Sequence, residues 1–215
     1  MSELNKRIIS SIILLPTVFY FIIKGSYYFT FLIMVAFIIC LYEWYLLTKN
    51  KTHTYLGLIF LIFSFFCIYK LRINNDDSYV NFIIIMSICI LTDIGGYVFG
   101  KLLGGPKLTK LSPNKTYTGA IGGYVLTLTL VPFIELFNIF NNFIIFNFVL
   151  FALLVSTVSQ CGDIFISYFK RISKIKNTGN LIPGHGGLLD RIDGMIFAYP
   201  FSYLLIMNDI LSNFQ

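Results

Sequence analysis

"FIIFNFVLFALLVSTVSQCGDIFISYFKRISK", residues 143 to 174, begins as membrane hydrocarbon and ends as a charged helix. Residues 143 to 160 carry no charge and have the length of a membrane span, about 17–25 residues. Beyond them, at about 100° per residue, Asp163, Ser167, Lys170 and Lys174 fall on one side, while Ile164, Phe165, Tyr168, Phe169, Ile172 and Ile175 fall on the other. Ser156, Ser159 and Gln160 continue the polar stripe backward. The stretch therefore predicts a span that runs on as an amphipathic helix, with a polar face that starts inside the membrane and ends in the cytoplasm. A helix lying flat on anionic headgroups would suit the lysines, but it gives no reason for Asp163 on the same face.

The rest of the chain has the same character. Of its 215 residues 57% are apolar and 12% charged, with 23 Phe and 14 Tyr, too little charge to cover a soluble domain. Further apolar runs lie at about 8–23, 27–47, 55–70, 79–100, 117–137 and 194–209. The expectation is an all-α polytopic membrane helix bundle of about seven transmembrane helices plus a cytoplasmic amphipathic extension. It is one membrane domain overall, with N-terminal spans over 1–78 and a second membrane region over 79–215 that carries the polar stretches. The first run, which contains Pro16 and lacks a small-x-small cleavage pattern, reads as a retained span. With the N-terminus in the cytoplasm, thirteen of the 16 basic residues fall on that side, and only Lys24, Lys70 and Arg72 on the other, as the positive-inside rule expects. The net charge of +6 therefore reports sidedness and implies no nucleic-acid partner. Cys40, Cys67, Cys89 and Cys161 have neither zinc nor disulfide spacing.

Three polar stretches interrupt the hydrocarbon. In "LTDIGGYVFGKLLGG", residues 91 to 105, Asp93 stands about two turns inside the fourth run. A carboxylate there costs several kcal/mol unless it is paired or meets water, so it reads either as a helix-packing group beside Gly95 and Gly96 or as functional. In "KLSPNKTYTGAIGG", residues 110 to 123, Lys115 and the amides opening the fifth span can hold phosphate, although helix packing explains the glycines equally well. In "NLIPGHGGLLDRID", residues 180 to 193, Pro183 and three glycines exclude a regular helix over Asn180 to Gly187. Helical character resumes after the loop and sets Asp190 and Asp193 on one face at i and i+3. The pair reads either as a complement to the helix dipole or as a magnesium and polyphosphate site, and spacing alone leaves both open. Glu43 and Trp44 read as an interfacial anchor.

"SYFKR", four residues, "KN" and then "GNLIPGHGGLLDRID" resembles the signature of the phosphatidate cytidylyltransferases, also called CDP-diacylglycerol synthases. That signature reads Ser-x-x-Lys-Arg, four residues, Lys-Asp, and later Pro-x-His-Gly-Gly-x-x-Asp-Arg-x-Asp. Ser167, Lys170, Arg171, Lys176, Pro183, His185, Gly186, Gly187, Asp190, Arg191 and Asp193 fit in register. "GD" at 162–163, "DIGGYVFGK" at 93–101 and "SPNKTYTGAIGG" at 112–123 resemble further blocks, and "KRIISSIILLP" and "YEWYLL" match in style. Asn177 departs from the pattern, standing where the signature has Asp.

The resemblance implies an enzyme that joins CTP to phosphatidate at the inner cell membrane, with N-terminus and active-site loops cytoplasmic, and it suggests a homodimer. Mg²⁺ is the implied cofactor, with Asp163 and Asp190 as its ligands and Asp193 as a third acidic group. Lys170, Arg171, Lys176 and Arg191 would neutralise phosphates, and His185 would face nucleotide or pyrophosphate. Ser167, Gly186, Gly187, Lys115 and Asp93 would bind substrate. The alternative is a transporter or channel with an intramembrane acidic site, but it predicts charge spread through the membrane depth. Here the charged residues of the polar stretches cluster at one face, with only Asp93 and Glu43 as acidic groups set apart from it.

Overall fold

The computed structural model describes residues 3–49, 52–73, 78–109, 112, 114–137, 139, 145–179, 181 and 186–208. Their regular elements are all helices, joined by loops and turns, and Lys107 and Thr116 form an isolated bridge. The helices are α1 (Glu3–Lys24), α2 (Ser26–Thr48), α3 (Thr52–Ile73), α4 (Ser78–Leu103), α5 (Tyr117–Leu128), α6 (Leu130–Leu136), α7 (Ile145–Ile172), α8 (Leu189–Ile192) and α9 (Met195–Met207). Among the described residues five stretches are long and apolar enough to cross a membrane: Ser26–Thr48, His53–Ile73, Tyr79–Leu103, Tyr117–Leu136 and Ile145–Ile172. The other two expected spans are shorter apolar helices, Leu14–Lys24 within α1 and Met195–Met207. At 1.5 Å per residue, α9 covers about 20 Å of a hydrocarbon layer about 30 Å thick. Large side chains on the helix surfaces, such as Leu102 and Phe146, are more than 70% exposed, the pattern of a chain whose solvent is lipid.

The chain forms two compact units, Met1–Tyr79 with Phe169–Asp193, and Val80–Tyr168 with Gly194–Gln215. The segment carrying the signature lysine, arginine and glycine loop thus groups with the N-terminal helices rather than with the region that follows residue 79.

In the first unit α2 packs along α3 and α1 and meets α8. The Trp44 indole lies so close over α3 that a Cβ at Gly57 would fall 2.0 Å from the ring, and its Nε1 donates to the Thr54 carbonyl at 3.1 Å. Both Trp44 and Glu43 are almost fully buried, so the expected interfacial anchor is instead an interior element. Arg72, at the end of α3, closes the α1–α2 connection. Its Nε donates to the Ile22 carbonyl at 2.8 Å and its Nη2 to the Ile23 carbonyl at 3.1 Å. A cation there satisfies the orphan carbonyls and dipole of the α1 C-terminus.

The end of α7 corrects the sequence reading of the polar stripe. The helix stops at Ile172, and Lys174 takes a left-handed φ of 56°. Its amide donates to the Arg171 carbonyl at 3.1 Å and that of Ile175 to the Lys170 carbonyl at 3.0 Å. This pair of bonds is a Schellman C-cap, so Lys174 turns the chain and does not extend the stripe.

In the second unit α4 and α5 approach through glycines. A Cβ at Gly95 would lie 2.4 Å from the Gly122 carbonyl oxygen, so the two main chains are in direct contact, as small residues allow in membranes. α5 and α6 divide the fifth expected span at Thr129, because Pro132 has no N–H for the Leu128 carbonyl and its ring crowds that oxygen. The core holds Ile85, Ile88, Phe148, Phe151, Ala152, Val155 and Ile196. Tyr199 stacks on Phe82 at 4.7 Å and donates its hydroxyl to the Phe82 carbonyl at 3.1 Å.

Candidate active site

The second unit contains a polar cavity of about 310 Å³ whose lining includes Asp93, Asn114, Lys115, Thr116, Gln160 and Asp163. It forms because the N-terminus of α5 and the segment before it meet the polar stripe of α7. Thr116 caps α5, its Oγ1 accepting from the Gly119 amide at 3.1 Å, so one of the amides expected to face phosphate is already bound. Lys115 forms an ion pair with Asp163, each side chain about a quarter exposed. The Ser167 hydroxyl donates to Asp163 Oδ1 at 3.3 Å, the i, i+4 contact that the stripe implied. Asp93 is exposed and lines the same cavity. This opening relieves the cost of a charge on an apolar span. Gln160 sits one turn deeper and donates to the Ala120 carbonyl at 3.4 Å, while Thr92, Thr127 and Ser156 form a buried hydroxyl network below it.

The first unit builds a second charged cluster from the end of α7, the returning loop and α8. Lys170 Nζ lies 3.0 Å from Asp190 Oδ1 and 3.9 Å from Asp193 Oδ2, so the i, i+3 carboxylates face one ammonium. Asp190 Oδ2 accepts from the Thr178 amide at 2.8 Å and the Gly187 amide at 3.3 Å. Gly186 has φ +89°, a conformation closed to most residues, and a Cβ there would crowd Asp190 Oδ2 at 3.3 Å and Asn177 Cγ at 3.4 Å. The loop thus folds its main chain onto the Asp190 carboxylate, with Asn177 beside it. Asp193 and Lys170 are buried or half-buried, whereas Arg171, Lys176 and Arg191 are exposed, within reach of solvent-borne anions. His185 and Pro183 lie outside the described residues.

Sequence reasoning missed two members of this cluster. Thr178 donates its hydroxyl to Glu43 Oε2 at 2.9 Å, and the amides of Leu188 and Leu189 donate to Glu43 Oε1 and Oε2 at 2.9 and 2.8 Å. The available signal was a carboxylate inside the 27–47 run, a position that marks a functional residue by default.

A model of the Cytidylyltransferase family matches residues 5–73 and 54–208. The chain is similar to the phosphatidate cytidylyltransferase of Rickettsia bellii, 37% identical over 214 residues covering 95% of this chain and 91% of that protein. It is also similar to the protein of the same name from Rickettsia conorii, 33% identical over 213 residues covering 95% and 91% of the two chains. To that of Staphylococcus haemolyticus it is 42% identical over 118 residues, 54% of this chain and 45% of the relative, so that match spans about half the relative's length.

Proposed function

The chain belongs to the cytidylyltransferase family, and on that premise we propose that it is an integral membrane enzyme making CDP-diacylglycerol from CTP and phosphatidate. A phosphate oxygen of phosphatidate attacks the α-phosphorus of CTP in line. The new P–O bond forms as the bond to the β-phosphate breaks, and pyrophosphate leaves. Such a displacement needs alignment and charge neutralisation more than a protein nucleophile. The observation that carries the reading is the Lys170 ammonium set against Asp190 and Asp193 under the glycine loop. Closely packed charges of both signs suit an anionic polyphosphate that arrives with a cation.

Asp163 and Asp190 are assigned to Mg²⁺, which when bound supplies charge neutralisation on the nucleotide phosphates. The donor set fits. Among the described residues no three His, Cys, Asp or Glu gather as a metal cage, and Mg²⁺ ordinarily takes one or two carboxylates and completes its shell with phosphate and water oxygens. Each carboxylate faces a lysine ammonium, which a bound cation would replace at that oxygen. Lys170, Arg171, Lys176 and Arg191 hold phosphate charge, Asp193 orients Lys170, and His185 is assigned to nucleotide or pyrophosphate. Ser167, Gly186, Gly187, Lys115 and Asp93 bind substrate. The acyl chains stay in lipid while CTP arrives from the cytoplasm, so the N-terminus and the polar loops face the cytoplasm at the inner membrane. The assembly is a homodimer. The transporter alternative is not favoured, since the curated relatives are named as transferases.

The test supplies purified protein with phosphatidate, CTP and Mg²⁺ and seeks the liponucleotide by mass spectrometry, with ATP, GTP and UTP as controls. Product from CTP alone is expected, and no liponucleotide from any of the four overturns the proposal.

A further inference from the structure

Glu43 stands in the last two turns of the apolar helix α2 and is 2% exposed. An ionised carboxylate so placed is costly unless hydrogen bonds replace its water. Three donors do so: the Thr178 hydroxyl and the Leu189 amide on Oε2, and the Leu188 amide on Oε1. All three come from the segment between α7 and α8, one from the limb that leaves α7 and two from the limb that enters α8. The same two limbs bind Asp190, through the amides of Thr178 and Gly187. Thr178 is therefore held twice, by its hydroxyl to Glu43 and by its amide to Asp190.

The loop's small residues fit this arrangement. A Cβ at Gly187 would lie 2.5 Å from Glu43 Oε2, and one at Gly179 would lie 2.8 Å from Oε1, so the glutamate is wrapped by backbone on both sides. Leu188, at the N-cap of α8, contributes no side-chain cap, and Glu43 supplies from another helix the acceptor that Ser, Asp or Asn ordinarily supplies locally.

We propose that Glu43 is a positioning residue for the transfer reaction: its carboxylate closes the two limbs of the signature loop so that Asp190 Oδ1 is presented beside Lys170. The catalytic consequence rests on the function proposed above, whereas the closure of the loop does not.

Glu43→Gln tests this with little change of shape. One side-chain oxygen becomes a donor. Whichever way the amide turns, it faces the Leu188 or the Leu189 N–H, neither of which can accept. In protein free of metal and nucleotide, hydrogen–deuterium exchange at the Thr178, Leu188 and Leu189 amides should quicken about tenfold or more, with α2 and α3 peptides unchanged. In the reaction kcat should fall by a similar factor, KM for CTP should stay within about threefold, and the Mg²⁺ concentration for half-maximal rate should rise, which is the split expected when a group acts only on the reacting geometry.

Unchanged exchange overturns the proposal, and so does faster exchange with unaltered kcat, which would leave Glu43 a purely structural cap. If wild-type protein makes no liponucleotide, the functional premise fails and the exchange result alone decides whether Glu43 closes the loop. Should Glu43→Gln loosen α2 and α3 as well, Thr178→Val replaces it. That variant removes one donor and keeps the Thr178 amide bond to Asp190, so a smaller acceleration confined to the same amides is expected, and none overturns the proposal.

Discussion

Adjacent glycines on α4 should respond to the same substitution in opposite ways. A Cβ at Gly95 would fall 2.4 Å from the Gly122 carbonyl oxygen, 2.8 Å from its carbon and 2.9 Å from Gly123 Cα, whereas at Gly96 the nearest atom is the Gly119 carbonyl oxygen at 3.8 Å. Ordinary contact begins near 3.4 Å, so Gly95→Ala must push the α4 and α5 backbones apart by about 1 Å, and none of the three atoms can rotate aside. Overpacking of this kind costs about 1–3 kcal/mol, occasionally more, and about 1 kcal/mol of that is offset because Ala is the better helix former. Gly96→Ala has the propensity gain without the clash. The propensity gain is common to both, so the two variants should differ by the clash itself, about 1–3 kcal/mol. For a chain of this length that is roughly 2–12 °C in Tm, with Gly95→Ala below wild type and Gly96→Ala at or above it. Thermal unfolding in one detergent, followed by far-UV circular dichroism, reads the difference. Equal shifts, or Gly95→Ala as stable as wild type, would refute the close backbone contact of α4 and α5.

Asp190→Asn should remove liponucleotide synthesis and also cost about 2–3 kcal/mol of stability, because it leaves the Lys170 ammonium without its 3.0 Å partner; mass spectrometry and a melting curve on the same preparation check both. Asn177→Asp, which restores the family's carboxylate beside Gly186, should keep kcat within about threefold of wild type; a large loss would show a site rebuilt around the amide. Lys174→Gly should raise Tm by about 1–4 °C, since glycine adopts the left-handed C-cap conformation at φ 56° without the strain that a side chain brings.

The helices were legible because their signal is composition over long windows. Residues 27–47 and 79–100 admit little but a spanning helix, and both are helical in the structure. Ser167 above Asp163 followed from helical period alone. Other features depend on events outside such windows. That α7 ends at Ile172 was hidden because the apolar period persists through Ile175, and a lysine in left-handed conformation gives no composition cue. The break at Thr129 was legible in principle from Pro132. Glu43 is easily misread because a carboxylate next to a tryptophan looks the same in sequence whether it meets headgroups or the interior. Its partners are 135 to 146 residues away, and no local period reaches that far. The signature marks the residues around Asp190 and Lys170, but nothing in it names Thr178 as the link between two carboxylates.

Trp44 is the chain's only tryptophan, one residue after Glu43, with its indole against α3 and 5.0 Å edge-on to Phe169. Intrinsic fluorescence excited at the indole band therefore reports a single locus, beside the helix turn that fastens the signature loop. Any movement of that turn that admits water or shifts the neighbouring ring should change emission wavelength or quenching, so the protein carries a label-free reporter that needs no engineered dye.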